Sequence, residues 1–174
     1  MQLSMNFKTV VALGIIAAGG YYAYDLFFGG SEGGDVRKLM RIRRDYKSAR
    51  DYQAVFSAMD SKKPAVQKLA VEILTENVER PATPKMLEML KDPNRAEQVK
   101  DALATAMGRL GINDKATLER LVQLTDKAEP EAVRRAAHDA LLKLTGAGAV
   151  VKLGDSTREQ WTRWLQSQSS GGTR

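Results

Sequence analysis

The sequence predicts an all-α fold: an N-terminal transmembrane helix, then a small solenoid of about three helical hairpins with a C-terminal capping helix. Three observations lead to this prediction. An apolar run occupies residues 9–28, apolar positions then recur with a fixed period, and a tryptophan-bearing segment follows the last repeat. The length of 174 residues allows one globular domain plus an anchor.

The composition excludes several classes of site. The chain contains no cysteine and one histidine. A disulfide framework, a thiolate zinc site and a cysteine nucleophile are therefore excluded, and the usual histidine-rich metal sites are not available.

The net charge of +6 is concentrated in one short segment. Residues 37–50 carry seven basic side chains and one acidic side chain, while the rest of the chain has 20 of each sign. The seven are Arg37, Lys38, Arg41, Arg43, Arg44, Lys47 and Arg50. One basic segment on an otherwise balanced chain argues against nucleic-acid binding, so no nucleic-acid partner is expected.

Residues 9–28, which follow a short tail of residues 1–8, have the length and composition of a transmembrane helix. A helix needs about 20 mostly apolar residues to cross a hydrocarbon core of ~30 Å. Aromatic residues crowd the C-terminal end of this run, as in an interfacial belt. Gly14 and Ala18 form a small-xxx-small pair against which another membrane helix could pack. A cleaved signal peptide is the alternative, but tyrosines stand where processing favours small residues.

The flanking charges predict on which side of the membrane the C-terminal domain lies. Lys8 precedes the span, whereas six basic side chains between Arg37 and Lys47 follow it within the distance that counts. We therefore expect a single-pass protein with its C-terminal domain in the cytoplasm. The periplasmic side is the alternative, because a short lysine-bearing N-terminus also resembles a bacterial export anchor.

Two segments connect the span to the repeats. Residues 29–34, GGSEGG, predict a flexible glycine-rich hinge. Residues 35–50 predict one basic amphipathic helix capped by Asp35, because apolar residues recur there every three to four positions. Three interpretations of its basic face stay open: a solvated surface, a clamp on anionic lipid headgroups, or a docking face for an acidic partner.

Residues 51–146 have the pattern of repeated helical hairpins. The second helices align through Val66, Val99 and Val133, each followed by apolar or small residues at the same offsets. The preceding first helices repeat with the same period. A fixed period of this size indicates stacked units that bury one another's apolar faces.

Prolines and glycines mark the expected helix ends. Pro64, Pro84 and Pro130 stand where helices should begin, since a proline in the first turn forfeits no helical hydrogen bond. Gly111 and Gly146 stand where second helices should end in a left-handed cap. Small residues that permit close helix packing lie between these ends: Ala102, Ala106, Ala136, Ala137 and Ala140.

This pattern resembles the HEAT-like repeats of the short bacterial kind over residues 51–146. The resemblance implies an all-α solenoid that serves as a protein-interaction scaffold. Some relatives of this kind are chromophore lyases for photosynthetic antenna proteins, and this sequence contains no motif specific to a lyase. The function that the resemblance implies is therefore binding.

Residues 147–167 leave the repeat and predict a loop followed by a capping helix, with residues 168–174 as a polar tail. Trp161 and Trp164 lie on one face of that helix. Two interpretations remain for them: core residues of the cap, or an aromatic anchor for a partner.

No catalytic constellation can be assembled from the sequence. His138 falls off the apolar face of its helix, beside Arg134 and Arg135, which predicts an exposed side chain. No phosphate-binding loop is present. We therefore expect no enzymatic activity, no metal and no cofactor.

The preferred hypothesis is a non-catalytic, membrane-anchored scaffold whose partners are other subunits of a membrane protein complex. It would be an accessory or assembly subunit, with bacterial photosynthetic or respiratory complexes as the first hosts to examine. The alternative is a membrane-organising protein that binds anionic lipid headgroups through residues 35–50. A lyase-like enzyme, with a small molecule in the concave face of the repeats, is a third and less favoured hypothesis.

Overall fold

The computed structural model of the chain describes residues 31–147, 151–154 and 156–170. Its regular secondary structure is helical throughout these residues, with eight α-helices and one short 3₁₀ helix. The chain divides between Asp45 and Tyr46 into two compact units, and the second unit contains the hairpins. The predicted all-α class is confirmed for this part of the chain.

The predicted membrane span lies outside the described residues, together with its Gly14 and Ala18 and the preceding residues 1–8. Among the residues that are described, no helix is both long enough and apolar enough to cross a bilayer. The transmembrane helix therefore stays a prediction from the sequence.

The first unit contributes helix α1 (Ser31–Arg44). This helix begins inside the predicted hinge, so residues 31–34 are helical, and Asp35 lies within the helix instead of capping it. Gly33 is buried, and its carbonyl oxygen accepts a hydrogen bond of 3.2 Å from Nε of Arg37. A glycine costs a helix only about 1 kcal/mol relative to alanine, and structural context regularly overrides a preference of that size.

The predicted single basic helix of residues 35–50 is broken after α1. A new helix, α2 (Ala49–Ala58), starts at Ser48, whose hydroxyl oxygen accepts a hydrogen bond of 3.2 Å from the amide of Asp51. The Asp51 carboxylate accepts bonds from the Ser48 hydroxyl at 2.7 Å and the Ser48 amide at 3.0 Å, which lower the pKa of Asp51. This capping box satisfies amides that a helix start leaves free, and it fixes the break.

Three hairpins follow, each with a shorter first helix and a longer second helix. The first pairs α2 with α3 (Pro64–Glu76), and the second pairs α4 (Thr83–Lys91) with α5 (Glu97–Leu110). The third pairs α6 (Lys115–Leu124) with α7 (Glu131–Thr145). Successive second helices start at Pro64, Glu97 and Glu131, which reproduces the period seen in the sequence.

Proline and glycine occupy the helix ends as predicted. Pro64 is the first residue of α3, Pro84 lies in the first turn of α4, and Pro130 is the N-cap of α7. Gly111 and Gly146 end α5 and α7 with φ angles of 70° and 68°, a left-handed conformation that glycine adopts without steric cost.

Val78 takes the position after α3 that Gly111 takes after α5. The two residues are separated by the same repeat period as Val66 and Val99. Its φ angle is 57°, and the amide beyond it, that of Glu79, bonds the carbonyl of Leu74 at 2.8 Å. After α5 the amide that follows Gly111 makes the corresponding bond at 3.1 Å, so both helices end in the same motif. A β-branched residue in this conformation is strained by roughly 1–2 kcal/mol. Val78 is also 60% exposed, so little burial offsets the strain.

The second helices pack side by side and build one core, with α5 between α3 and α7. Leu74, Met107 and Leu141 stand at equivalent repeat positions, and all three are completely buried. Gly108 of α5 lies so close to α7 that an added Cβ would stand 2.8 Å from Cα of Ala140. The hairpins therefore share a continuous interior, as stacked repeats do.

The stack is closed by α8 (Thr157–Ser170), which packs against α6. The buried hydroxyl of Thr157 accepts a hydrogen bond of 2.7 Å from the amide of Gly154 and so shapes the entry to this helix. The predicted capping helix is present, but it extends over residues 168–170, which the sequence assigned to the tail. Residues 171–174 lie outside the described part of the chain.

Candidate functional site

His138 of α7 and Trp161 of α8 meet at the closed end of the stack. Trp161 is completely buried, and its indole Nε1 donates a hydrogen bond of 3.1 Å to Nδ1 of His138. His138 is only 6% exposed, so the prediction of an exposed histidine is wrong. The imidazole serves as the acceptor that a buried indole N–H requires.

The repeat register explains why His138 is buried. One period before it lies Ala104, and one period before that lies Val71; both are completely buried. These positions share the face that meets the next hairpin, since Gly108, one turn beyond Ala104, touches Ala140. The apolar stripe of α7 alone did not reveal this face, whereas the alignment of the three repeats does.

The surroundings of His138 favour its neutral form. Burial lowers the pKa of His138 below the ordinary value of 6.5, against an opposing effect of the Asp139 carboxylate. A neutral ring can present Nδ1 as an acceptor, whereas a protonated ring would turn an N–H toward the N–H of Trp161. The contact between α7 and α8 is therefore suited to a neutral histidine.

Trp164 has a different environment, although it lies on the same helix. Its ring meets that of Trp161 edge to face, with centroids 5.8 Å apart. The side chain is half-buried and lines a groove between α6 and α8. Of the two tryptophans that the sequence singles out, Trp161 belongs to the core and Trp164 is the one that solvent reaches.

The groove encloses about 860 Å³. Its apolar lining comes from Leu118 and Val122 of α6 and from Trp164 and Leu165 of α8. Glutamine and asparagine side chains and charges of both signs supply the polar lining. Such a combination suits the apolar face of an amphipathic segment, with polar side chains along its edge.

An ion pair holds α8 against α6 at one end of this groove. The guanidinium of Arg158, which lines the groove, lies 2.5 Å from a carboxylate oxygen of Asp126 in the turn after α6. The backbone amide of Ala128 and the Arg158 guanidinium together lower the pKa of Asp126. The pair is partly exposed, so it positions the helix more than it stabilises the fold.

The predicted basic cluster does not form one continuous helix. Arg37, Lys38, Arg41 and Arg44 are exposed on α1, while Arg43 on the same helix is half-buried. Lys47 and Arg50 are also exposed, but they belong to the second unit, in the break before α2 and in its first turn.

The described residues contain no group of three or more histidine, aspartate or glutamate side chains placed to hold a metal ion. The groove lining consists mainly of apolar and amide side chains, which suits noncovalent contact with another molecule.

A stack of helical hairpins closed by a capping helix defines the class of α-solenoid proteins. The family model of HEAT repeats matches residues 52–142, and the chain belongs to this family. The match confirms the HEAT-like resemblance over nearly the whole predicted range of residues 51–146. No relative was found among the curated proteins.

Proposed function

We propose that this protein is a non-catalytic interaction protein whose HEAT-repeat stack holds a partner protein in the groove between α6 and α8. The observation that carries the proposal is that two neighbouring tryptophans lie in different environments. Trp161 is completely buried, whereas Trp164 lies against it and lines the groove. Tryptophan is one of the side chains that are enriched at binding hot spots.

The partner segment that fits is an amphipathic helix or extended peptide with one apolar face. Leu118 and Leu165, which are half-buried, line the groove together with Trp164, so the apolar face of the partner would displace water from all three. Polar side chains beside them can bond the partner's own polar edge and set its direction.

We further propose that the partner belongs to a membrane complex, in which this chain is an accessory or assembly subunit. The apolar run of residues 9–28 supports this proposal, with Gly14 and Ala18 as the packing site for a neighbouring membrane helix. The flanking charges favour a cytoplasmic HEAT domain, with the periplasm as the alternative.

The test is purification of the full chain from its native membranes in mild detergent, followed by mass spectrometry of the proteins that stay attached. We expect a stoichiometric partner with the unaltered chain and its loss with Trp164→Ala. Leu153→Ala is the matched control, because Leu153 is 41% exposed and is not among the residues that line the groove. A chain that purifies as a free monomer, or a partner retained by Trp164→Ala, would contradict the proposal.

A second candidate function is binding to anionic lipid headgroups. The exposure of Arg37, Lys38, Arg41 and Arg44 on α1 favours it, since each basic residue near an anionic surface contributes about 1 kcal/mol. Replacing these four residues by glutamine should abolish binding to phosphatidylserine vesicles at low salt. The Lys115→Gln variant, which removes an exposed cation elsewhere, should keep that binding. Equal binding by the two variants would exclude α1 as the lipid contact.

A further inference from the structure

One ion pair joins the second helix of one hairpin to the connecting turn of the next hairpin. Lys100 of α5 is only 7% exposed, and its Nζ lies 2.9 and 3.1 Å from the two carboxylate oxygens of Glu129. Glu129 belongs to the turn between α6 and α7, in the next hairpin. The buried ammonium thus obtains its counter-charge from the unit stacked upon its own.

The same repeat position carries a polar donor in all three hairpins. Gln67, Lys100 and Arg134 each directly follow the aligned valine of their second helix. The amide of Gln67, also 7% exposed, bonds the carbonyl of Ser61 at 2.6 Å within its own hairpin. Each of the first two donors therefore has an acceptor in a connecting turn.

Arg134 lacks such an acceptor among the described residues. The side chain is half-buried, and its Nε is enclosed but makes no hydrogen bond. Its hairpin is the last of the three, and the residue one period beyond Glu129 is Arg163, another cation. His138 lies one turn after Arg134 on the same face of α7, and Trp161 of α8 covers it.

We propose that Arg134 binds a carboxylate side chain of a partner protein that docks on the end of the stack, in the place where a following hairpin would present the equivalent of Glu129. Its Nε is enclosed, so the partner's carboxylate would meet the guanidinium at the terminal nitrogens, where it would form a charge-assisted bond. Arg134 is not among the residues that line the groove, so this contact is separate from the proposed function and can fail without it.

The charge pattern argues against a second copy of this chain as the occupant. In a head-to-tail stack, the first hairpin of one copy would follow the third hairpin of another. The first-hairpin residue in register with Glu129 is Lys62, which is exposed and carries the same charge as Arg134. A partner with an acidic side chain at this place fits instead.

The test is a titration of the full chain, in mild detergent and labelled with ¹⁵N-arginine, with the peptide TDKAEPE. This peptide copies residues 125–131 and carries the glutamate that pairs with Lys100. We expect a saturable shift of the Nε–Hε resonance of Arg134, and binding of the Glu129→Gln peptide weaker by roughly tenfold or more. The resonance of Arg135, which is exposed and already pairs with Glu131 at 2.6 Å, is the internal control.

Arg134→Met separates recognition from folding. We expect this variant to lose the peptide while its thermal unfolding midpoint stays the same or rises, because methionine leaves no donor unpaired. The proposal is overturned if both peptides shift Arg134 equally, if Arg135 moves with it, or if no shift occurs. It is also overturned if Arg134→Met lowers the midpoint, because the arginine would then have a structural partner.

Discussion

The Nε1 of Trp161 lies 3.1 Å from Nδ1 of His138, and this bond joins the last helix of the stack to the last repeat. The donor belongs to a tryptophan that is completely buried, and the acceptor to a histidine that is 6% exposed. Trp161 also supports the ring of Trp164, which lines the groove between α6 and α8. The groove therefore depends on the same contact that closes the core.

The first prediction is a loss of stability as the pH falls through the range of histidine. Burial lowers the pKa of folded His138 below its ordinary value of 6.5. Below that value the unfolded chain therefore binds more protons than the folded chain. The contribution of His138 to the free energy of unfolding is complete above this pH and decreases below it. Urea unfolding between about pH 7.5 and pH 5 measures this decrease.

The control for this pH dependence is His138→Gln, which keeps an acceptor for Trp161 and removes the titration. Its free energy of unfolding should vary less over the same window than that of the unaltered chain. An equal pH dependence in both proteins would assign the effect to another group.

The second prediction concerns Gly108→Ala. Alanine normally strengthens a helix by about 1 kcal/mol relative to glycine. Here the new methyl group would stand 2.8 Å from Cα and 2.9 Å from Cβ of Ala140, so α5 and α7 must move apart. We expect a net loss of roughly 1–3 kcal/mol by urea unfolding, the cost of overpacking a core. Thr105→Ala, at an exposed position of α5, should change stability by less than about 0.5 kcal/mol.

The third prediction concerns Val78→Gly. Glycine relieves roughly 1–2 kcal/mol of strain in the left-handed conformation. Its greater conformational entropy also stabilises the unfolded chain, by about 0.4–1 kcal/mol. Since Val78 is 60% exposed, its burial contributes little, and we expect a small net rise in the thermal midpoint. The reciprocal Gly111→Val should lower the midpoint, because it introduces the same strain after α5. A lower midpoint for Val78→Gly would show that the valine makes a stabilising contact.

The fourth prediction concerns the ion pair between Lys100 and Glu129. Lys100→Met leaves a carboxylate that is only 22% exposed without its counter-charge, and should cost roughly 1–3 kcal/mol in urea unfolding. Adding Glu129→Gln should recover part of that loss, because the uncompensated charge is removed. If the double variant is no more stable than Lys100→Met, the pair does not act as a unit.

The positions of the hairpins were predictable because stacking constrains the same positions in each repeat. The fixed period locates the second helices, and Gly111 and Gly146 locate two of their ends, since few residues accept a left-handed cap. The break before α2 was missed because it depends on a local capping box between Ser48 and Asp51 and not on apolar periodicity. Glycine content misled the prediction for residues 31–34, where the chain is helical.

By itself the sequence determined the class of fold, the register of the repeats and the presence of a tryptophan-bearing cap, because each follows from a pattern within one helix or one period. Only the tertiary structure decided which tryptophan is buried, that His138 accepts its hydrogen bond, and that Arg134 lacks an acceptor among the described residues. The physical reason is that these three properties arise at the last face of the stack. What covers that face depends on how α8 packs, and no spacing along the chain records it.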